Sequence, residues 1–217
     1  MINLREALNK IRAPKQLSLK KTILTVCAAF LLGVILGVFS KWLDNLALDS
    51  NVWWHRIFEW LDLGNFFSDI AIWLLIALAI AVFSYSAMRA AINAFSFFAG
   101  MCAAYHIYTI VFSGFNPKSY MLIWYGITLL SPFLAAICWY SKSKKAISVL
   151  LDVLIFAIFT LSCFNIGLFY LSFKGVLYLI VYLCSVVVLY NSPKTIVISL
   201  PIGFVLSFFL SQFWPFK

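Results

Sequence analysis

At 217 residues, 65% of them hydrophobic, 18% aromatic and only 11% charged, the chain carries more apolar surface than one water-soluble core of its size can hide. Its formal charge of +9 is not laid out as basic stripes between stacking aromatics in a polar domain, which excludes a nucleic-acid-binding module. At about 20 residues per crossing the length suits six or seven membrane helices in one all-α bundle.

Residues 1–21 form a basic arm in which Arg5, Lys10, Arg12, Lys15, Lys20 and Lys21 outnumber Glu6. Leu4, Ala7, Leu8 and Ile11 recur at helical spacing, so the first half predicts an amphipathic helix on an anionic membrane face, ended by Pro14. A short tail that only sets orientation is the plainer alternative.

Residues 22–217 read as a single transmembrane domain. The first apolar run, 22–40, is too long for a signal-peptide core, lacks a small-x-small cleavage site and meets Lys41 and Trp42 at its boundary. Within it Gly33 and Gly37 form a GxxxG pair, which predicts close helix packing inside the protein. The polar stretch that follows predicts one extracytoplasmic, interfacial amphipathic helix over about 50–63, capped by Ser50 or Asn51 and stopped by Gly64. Trp53, Trp54, Ile57, Phe58, Trp60 and Leu61 make its apolar face; His55, Glu59 and Asp62 fall on the other. Trp53, Trp54, Phe58 and Trp60 are the candidate partner-binding or headgroup-level residues.

Further apolar runs at 66–83, 90–112, 120–140, 146–164, 175–190 and 195–213 bring the expected spans to seven. The sixth is short, and a re-entrant path there would leave six. With the N-terminus inside and the C-terminus outside, most of the 16 basic residues fall on the inner side, including Arg89, Lys142, Lys144, Lys145 and Lys194. Asp44, Asp49, Glu59, Asp62 and Asp69 fall outside with Lys217, so the positive-inside rule supports that orientation in a bacterial cell membrane. The three inner turns, Tyr85 to Arg89, Tyr140 to Lys144 and Tyr190 to Lys194, each lead from a tyrosine through a serine to a base. Three parallel hairpins after one lead helix would produce this pattern; so would a tyrosine belt without any repeat.

Few residues offer chemistry. Cys102 and His106 lie four apart, on one helical face, and a cysteine beside a base is the minimum for thiol catalysis. Tyr105, His106 and Tyr108 equally suit an aromatic belt near the outer interface. Asp152, seven residues past Lys145 and well inside the fifth run, is the leading candidate, because a carboxylate at that depth needs a partner or a proton. Arg89 is a candidate counter-ion on the same side, as are Lys144 and Lys145. Asn93 and Asn165 are polar points suited to interhelical hydrogen bonds. Pro132 frees the carbonyl of Thr128 and Pro201 that of Val197; such breaks line a substrate site or kink a helix. Cys27, Cys102, Cys138, Cys163 and Cys184 all sit in apolar runs without a CxxC, which reads as packing and not as a disulfide or metal framework. HExxH, GxSxG, a Walker lysine and paired intramembrane carboxylates are absent, so no cofactor or metal is implied.

Several stretches taken together, LLGVILGVFSKWLDNL, GNFFSDIAIW, SAMRAAIN, GMCAAYHIYT, FNPKSYMLIWYGITLLSPFLAAICWY and NSPKTIVISL, resemble a family of small multispanning bacterial membrane proteins to which no activity is attached. The resemblance implies a polytopic helical fold and supplies no mechanism. In that family a tyrosine pair takes the place of Tyr105-His106, so the histidine is a departure that weighs against a Cys102/His106 site.

Three functions are then open. A carrier or membrane substrate-binding protein for a small solute or ion expects Asp152 and the proline breaks to converge on one cavity. A non-catalytic accessory or immunity-type protein expects a groove beside the tryptophan-rich helix for a membrane partner. An intramembrane enzyme expects polar groups gathered around Cys102/His106 or Asp152, and is the least supported. The bilayer itself is the one partner that composition requires.

Overall fold

The computed structural model describes residues 4–167 and 170–213. Its helices are α1 (Leu4–Ile11), α2 (Leu19–Asp44), α3 (Trp53–Trp60), α4 (Leu63–Ser68), α5 (Ala71–Phe83), α6 (Ala87–Ser113), α7 (Lys118–Cys138), α8 (Ala146–Cys163), α9 (Val176–Leu189) and α10 (Pro193–Leu210). A hairpin of β1 (Phe164–Ile166) and β2 (Leu171–Phe173) stands between α8 and α9, with Asn165 opposite Ser172. The last residues 214–217, with Lys217, lie outside the described set.

Among the described residues α2, α6, α7, α8 and α10 are long and apolar enough to cross a membrane, while α5 and α9, of 13 and 14 residues, are shorter. Ile23, Leu31 and Ile35 on α2, Leu122, Leu129 and Phe133 on α7, and Val197, Val205 and Phe209 on α10 are all exposed. A belt of that composition belongs in lipid, and the chain is a membrane protein by its surface as well as its sequence.

The helices form two units. In the first, α2 and α6 pack along their length in the same direction: Gly33 meets Phe97 and Met101, and Asn45 Nδ2 donates to Ser113 Oγ at 2.9 Å, about 18 Å further on at 1.5 Å per residue. A Cβ at Gly33 would run into the carbonyl oxygen of Phe97, and one at Gly100 into that of Phe30, so the glycines set how closely the two backbones approach. In the second unit α10 packs on α8 through Ser199, Gly203 and Ser207, all buried; a Cβ at Gly203 would stand 2.7 Å from the Val153 oxygen. Asn191 Nδ2 donates to the carbonyls of Ser141 and Ser143, tying the starts of α8 and α10 together at the same end. The returning helix of each unit is the short one, α5 or α9. These two lie side by side, joined at their starts by Lys174 and Asp69 and at their ends by Lys142, which reaches Tyr190 and the ring of Phe83. Helix α7 packs against α6 and α5 and carries the chain from one unit to the next.

The turns that close the two short helices match. Ser86 (φ −157°, ψ 161°) caps α6 by accepting from Arg89 N, and Ser192 (φ −156°, ψ 157°) caps α10 by accepting from Thr195 N. The third look-alike turn differs: Lys145 precedes α8 with no side-chain cap. Of the two readings of these turns, three parallel hairpins or a tyrosine belt without a repeat, the hairpins do not form; the helices pair instead as two three-helix units around α7.

The helix expected over 50–63 is α3 followed by α4, because Asp62 takes a left-handed conformation (φ 51°) and breaks the path. Val52 is the N-cap residue, and Gly64 lies inside α4 instead of stopping a helix. The expected faces are also exchanged at three positions: His55 is buried, accepting at Nδ1 from Asp49 N at 2.8 Å, while Trp53 and Trp60 are exposed. The run expected over 66–83 is likewise divided between α4 and α5 at Asp69 and Ile70.

Candidate functional site: a buried carboxyl near the arm end

The end of the bundle that carries the N-terminal arm is assembled from turns whose backbone groups have lost their helical partners. Arg12 serves two of them: Nη1 and Nη2 both donate to Val82 O at 3.2 Å, and Nη1 also donates to Trp139 O. The same guanidinium stacks 4.2 Å above the Trp139 ring, whose Nε1 donates to Ser84 O at 2.7 Å. Lys15 N donates to Tyr85 O at 2.8 Å, so the arm is fastened across the α5 to α6 turn. Burial lowers the Arg12 pKa from its ordinary value, yet a guanidinium stays charged at any physiological pH. Lys142 does for α9 what Arg12 does for α5, donating from Nζ to Tyr190 O at 2.6 Å.

One turn and a half into α8 from this end stands Asp152. Its side chain is wholly shielded, and neither carboxyl oxygen has a hydrogen-bond partner. Cys138 at the end of α7 and Lys142 in the following 3₁₀ turn are within its electrostatic reach. The counter-ions expected for it are elsewhere. The ion pairs among the described residues are Lys41 with Asp44 and Lys174 with Asp69, so Arg89, Lys144 and Lys145 do not pair with Asp152. Arg89 keeps a buried Nη1 without a partner. One turn along α6, Asn93 donates from Nδ2 to Ser84 Oγ at 3.4 Å and leaves Oδ1 unpaired.

The other candidates separate. Cys102 Sγ lies 3.3 Å from Thr128 Oγ1, whereas His106 turns away to the Tyr125 hydroxyl and, through Nε2, to Asn116 Oδ1 at 2.9 Å. The thiol and imidazole thus bind different partners. The carbonyl of Thr128 that Pro132 frees is taken up by Ser131 Oγ at 2.8 Å, a local repair that keeps α7 continuous. Pro201 is exposed on α10, and Asn165 is exposed on the hairpin. On α3, Trp54 packs edge-on against His55 and Phe58, and Phe58 lines a cavity of about 350 Å³ together with Asp44, Glu59 and Asp62.

Asp152, Pro132 and Pro201 do not gather around one polar cavity. Ser131 and Leu134, within two residues of Pro132, line an almost wholly apolar space of about 130 Å³ between α5, α6, α7 and α8. The Arg12 strap was not legible in the sequence, where Arg12 is one base among six in the arm. No local signal separates Arg12 from the other five, because its partners Val82 and Trp139 lie 70 and 127 positions further along the chain. Protein-family models, curated proteins and solved structures all return no match to this chain.

Proposed function

We propose that the protein is a carrier for a small solute or ion, crossing the membrane seven times with its N-terminal arm inside a bacterial cell. In this reading α5 and α9 complete the two units as short crossings, and Asp152 is the group that binds the cation or proton. The observation that carries the proposal is a carboxyl shielded from solvent, without a hydrogen bond, on the lead helix of one of two like-directed units. Burying such a group costs several kcal/mol unless it holds a proton or meets a cation, and membrane proteins keep that arrangement at transport sites. Parallel repeats packed about a common seam are a recurrent carrier design. An apolar seam without a continuous polar path suits a closed conformation.

The test is flux through the full chain in proteoliposomes with an entrapped pH dye and an imposed potential, wild type against Asp152→Asn. The expected outcome is a proton or sodium flux that the variant loses, and an infrared carboxylic-acid band that the variant lacks. Equal flux in both proteins, together with an Asp152 that infrared shows permanently ionised, would remove the proposal.

A second reading has one observation behind it. Trp53 and Trp60 are 73% and 72% exposed on an eight-residue helix, and two large aromatic side chains left uncovered by the rest of the chain suit a membrane-protein partner at that end.

A further inference from the structure

The arm end carries a second cavity that the carrier reading does not use. It is open, of about 340 Å³, and lined by Arg12, Lys15, Phe83, Tyr85, Trp139 and Lys142 among others; three of its wall residues are cations and none is an acid. At headgroup depth such a wall attracts a phosphate. The apolar space of about 130 Å³ lies one residue further along both α5 and α7: Ala81 and Cys138 line the apolar space, while the next residues in the chain, Val82 and Trp139, line the basic one. From Cys138 the apolar lining climbs α7 through Ala135, Leu134 and Ser131 to Ile127, about 16 Å at 1.5 Å per residue. Leu134 and Ile158 at its rim are themselves exposed, so the groove opens toward lipid.

We infer that the two cavities form one site for an anionic phospholipid of the leaflet that faces the N-terminal arm. Its phosphate sits among Lys15, Lys142 and the outer edge of Arg12, and one acyl chain lies in the groove between α7 and α8. Charge complementarity names the headgroup and the apolar groove names the chain; a soluble phosphate would use only the first. Arg12 is held in place by Val82 and Trp139, so the site is organised before the lipid arrives. Occupation would fasten the arm and close the gap between the two three-helix units, and the inference stands whether or not the protein is a carrier.

The experiment is native mass spectrometry of the full chain from detergent, titrated in turn with phosphatidylglycerol, phosphatidylcholine, glycerophosphoglycerol and inorganic phosphate. Phosphatidylglycerol is expected to bind at least about fivefold more tightly than phosphatidylcholine, with about fivefold lost for each lysine removed in Lys15→Gln and Lys142→Gln. Ala135→Phe, which fills the groove, is expected to weaken phosphatidylglycerol while leaving the charge intact. Should Lys142→Gln fail to fold for want of its bond to Tyr190, Lys15→Gln decides alone, because the Lys15 side chain is exposed and only its backbone is used in the fold. Equal binding of the two lipids, or indifference to Lys15→Gln, overturns the site. Binding of glycerophosphoglycerol or inorganic phosphate as tight as that of the whole lipid, unaffected by Ala135→Phe, replaces the lipid with a free phosphate and overturns it equally.

Discussion

Lys174 Nζ stands 2.8 Å from Asp69 Oδ2, and each residue lies two positions before one of the two short helices. The pair is largely shielded, with side-chain exposures of 17% and 19%, and Lys174 also lies 5.6 Å from the Tyr178 ring. It therefore joins the two three-helix units at the end opposite the arm. Asp69→Asn or Lys174→Gln is expected to cost about 1–3 kcal/mol, between the values for exposed and buried pairs. A double-mutant cycle read by thermal unfolding in detergent checks this; additive single effects would mean the pair does not couple.

The helical glycines of α2, α6 and α7 separate into two kinds. Gly33→Ala and Gly100→Ala press a methyl group into the backbone of the neighbouring helix and are expected to lower stability by at least about 1–3 kcal/mol. Gly126→Ala on α7 meets nothing within 4 Å and removes a flexible residue from a helix interior, so it should be neutral or gain up to ~1 kcal/mol. Melting temperatures of the three variants, measured side by side, give the ranking.

The strap at the arm end makes a prediction that does not depend on pH. Arg12→Gln loses the charge-assisted bonds to Val82 O and Trp139 O and the stacking on Trp139, a loss of about 2 kcal/mol felt mainly by the arm. Hydrogen exchange at residues 12–18 should quicken, and Arg12→Lys should rescue little, since an ammonium cannot fork between two carbonyls while lying flat on an indole. Because the guanidinium keeps its charge, protection of the arm should stay flat across the physiological range.

Asp152→Leu separates stability from function. Replacing an unpaired buried carboxyl by an apolar side chain of similar size is expected to stabilise the fold by about 1–2 kcal/mol. If flux disappears while the melting temperature rises, the group is retained for what it does; a fall in stability would show that it holds the fold together.

Topology is open to a direct check. In a background without native cysteines, Ser50→Cys and Lys118→Cys should react with an impermeant maleimide from the face opposite to Lys144→Cys and Lys194→Cys. Labelling of Lys118→Cys and Lys144→Cys from the same face would contradict a crossing by α7.

Much of this fold was legible because it is written in composition. The apolar runs that became α2, α6, α7, α8 and α10 are long, and in lipid every backbone group must be satisfied within its own helix. Gly33 and Gly37 likewise announce close approach through their size alone. What could not be read were relationships across the chain. Nothing local says that Lys174 finds Asp69, that Asn191 reaches back to Ser141, or that His55 turns inward to the Asp49 amide while Trp53 and Trp60 face out. Of the candidate site, Asp152 was visible as a carboxyl in an apolar run. Its isolation from Arg89 was not, because that depends on how α6 and α8 are placed around α5. The Cys102 and His106 spacing was real on the helix, but Thr128 and Tyr125 of α7 compete for the two side chains and win.

The intervening α7 settles a question of parity. A unit of three helices begins at one end of the bundle and finishes at the other, so a second copy attached directly would be built upside down. One additional traverse returns the chain to its starting end, and it is there that Lys142 stands before α8 as Arg12 stands before α2, each supplying the cation that finishes a short helix. Without α7 those two bases would lie at opposite ends, and α5 and α9 would run antiparallel instead of parallel.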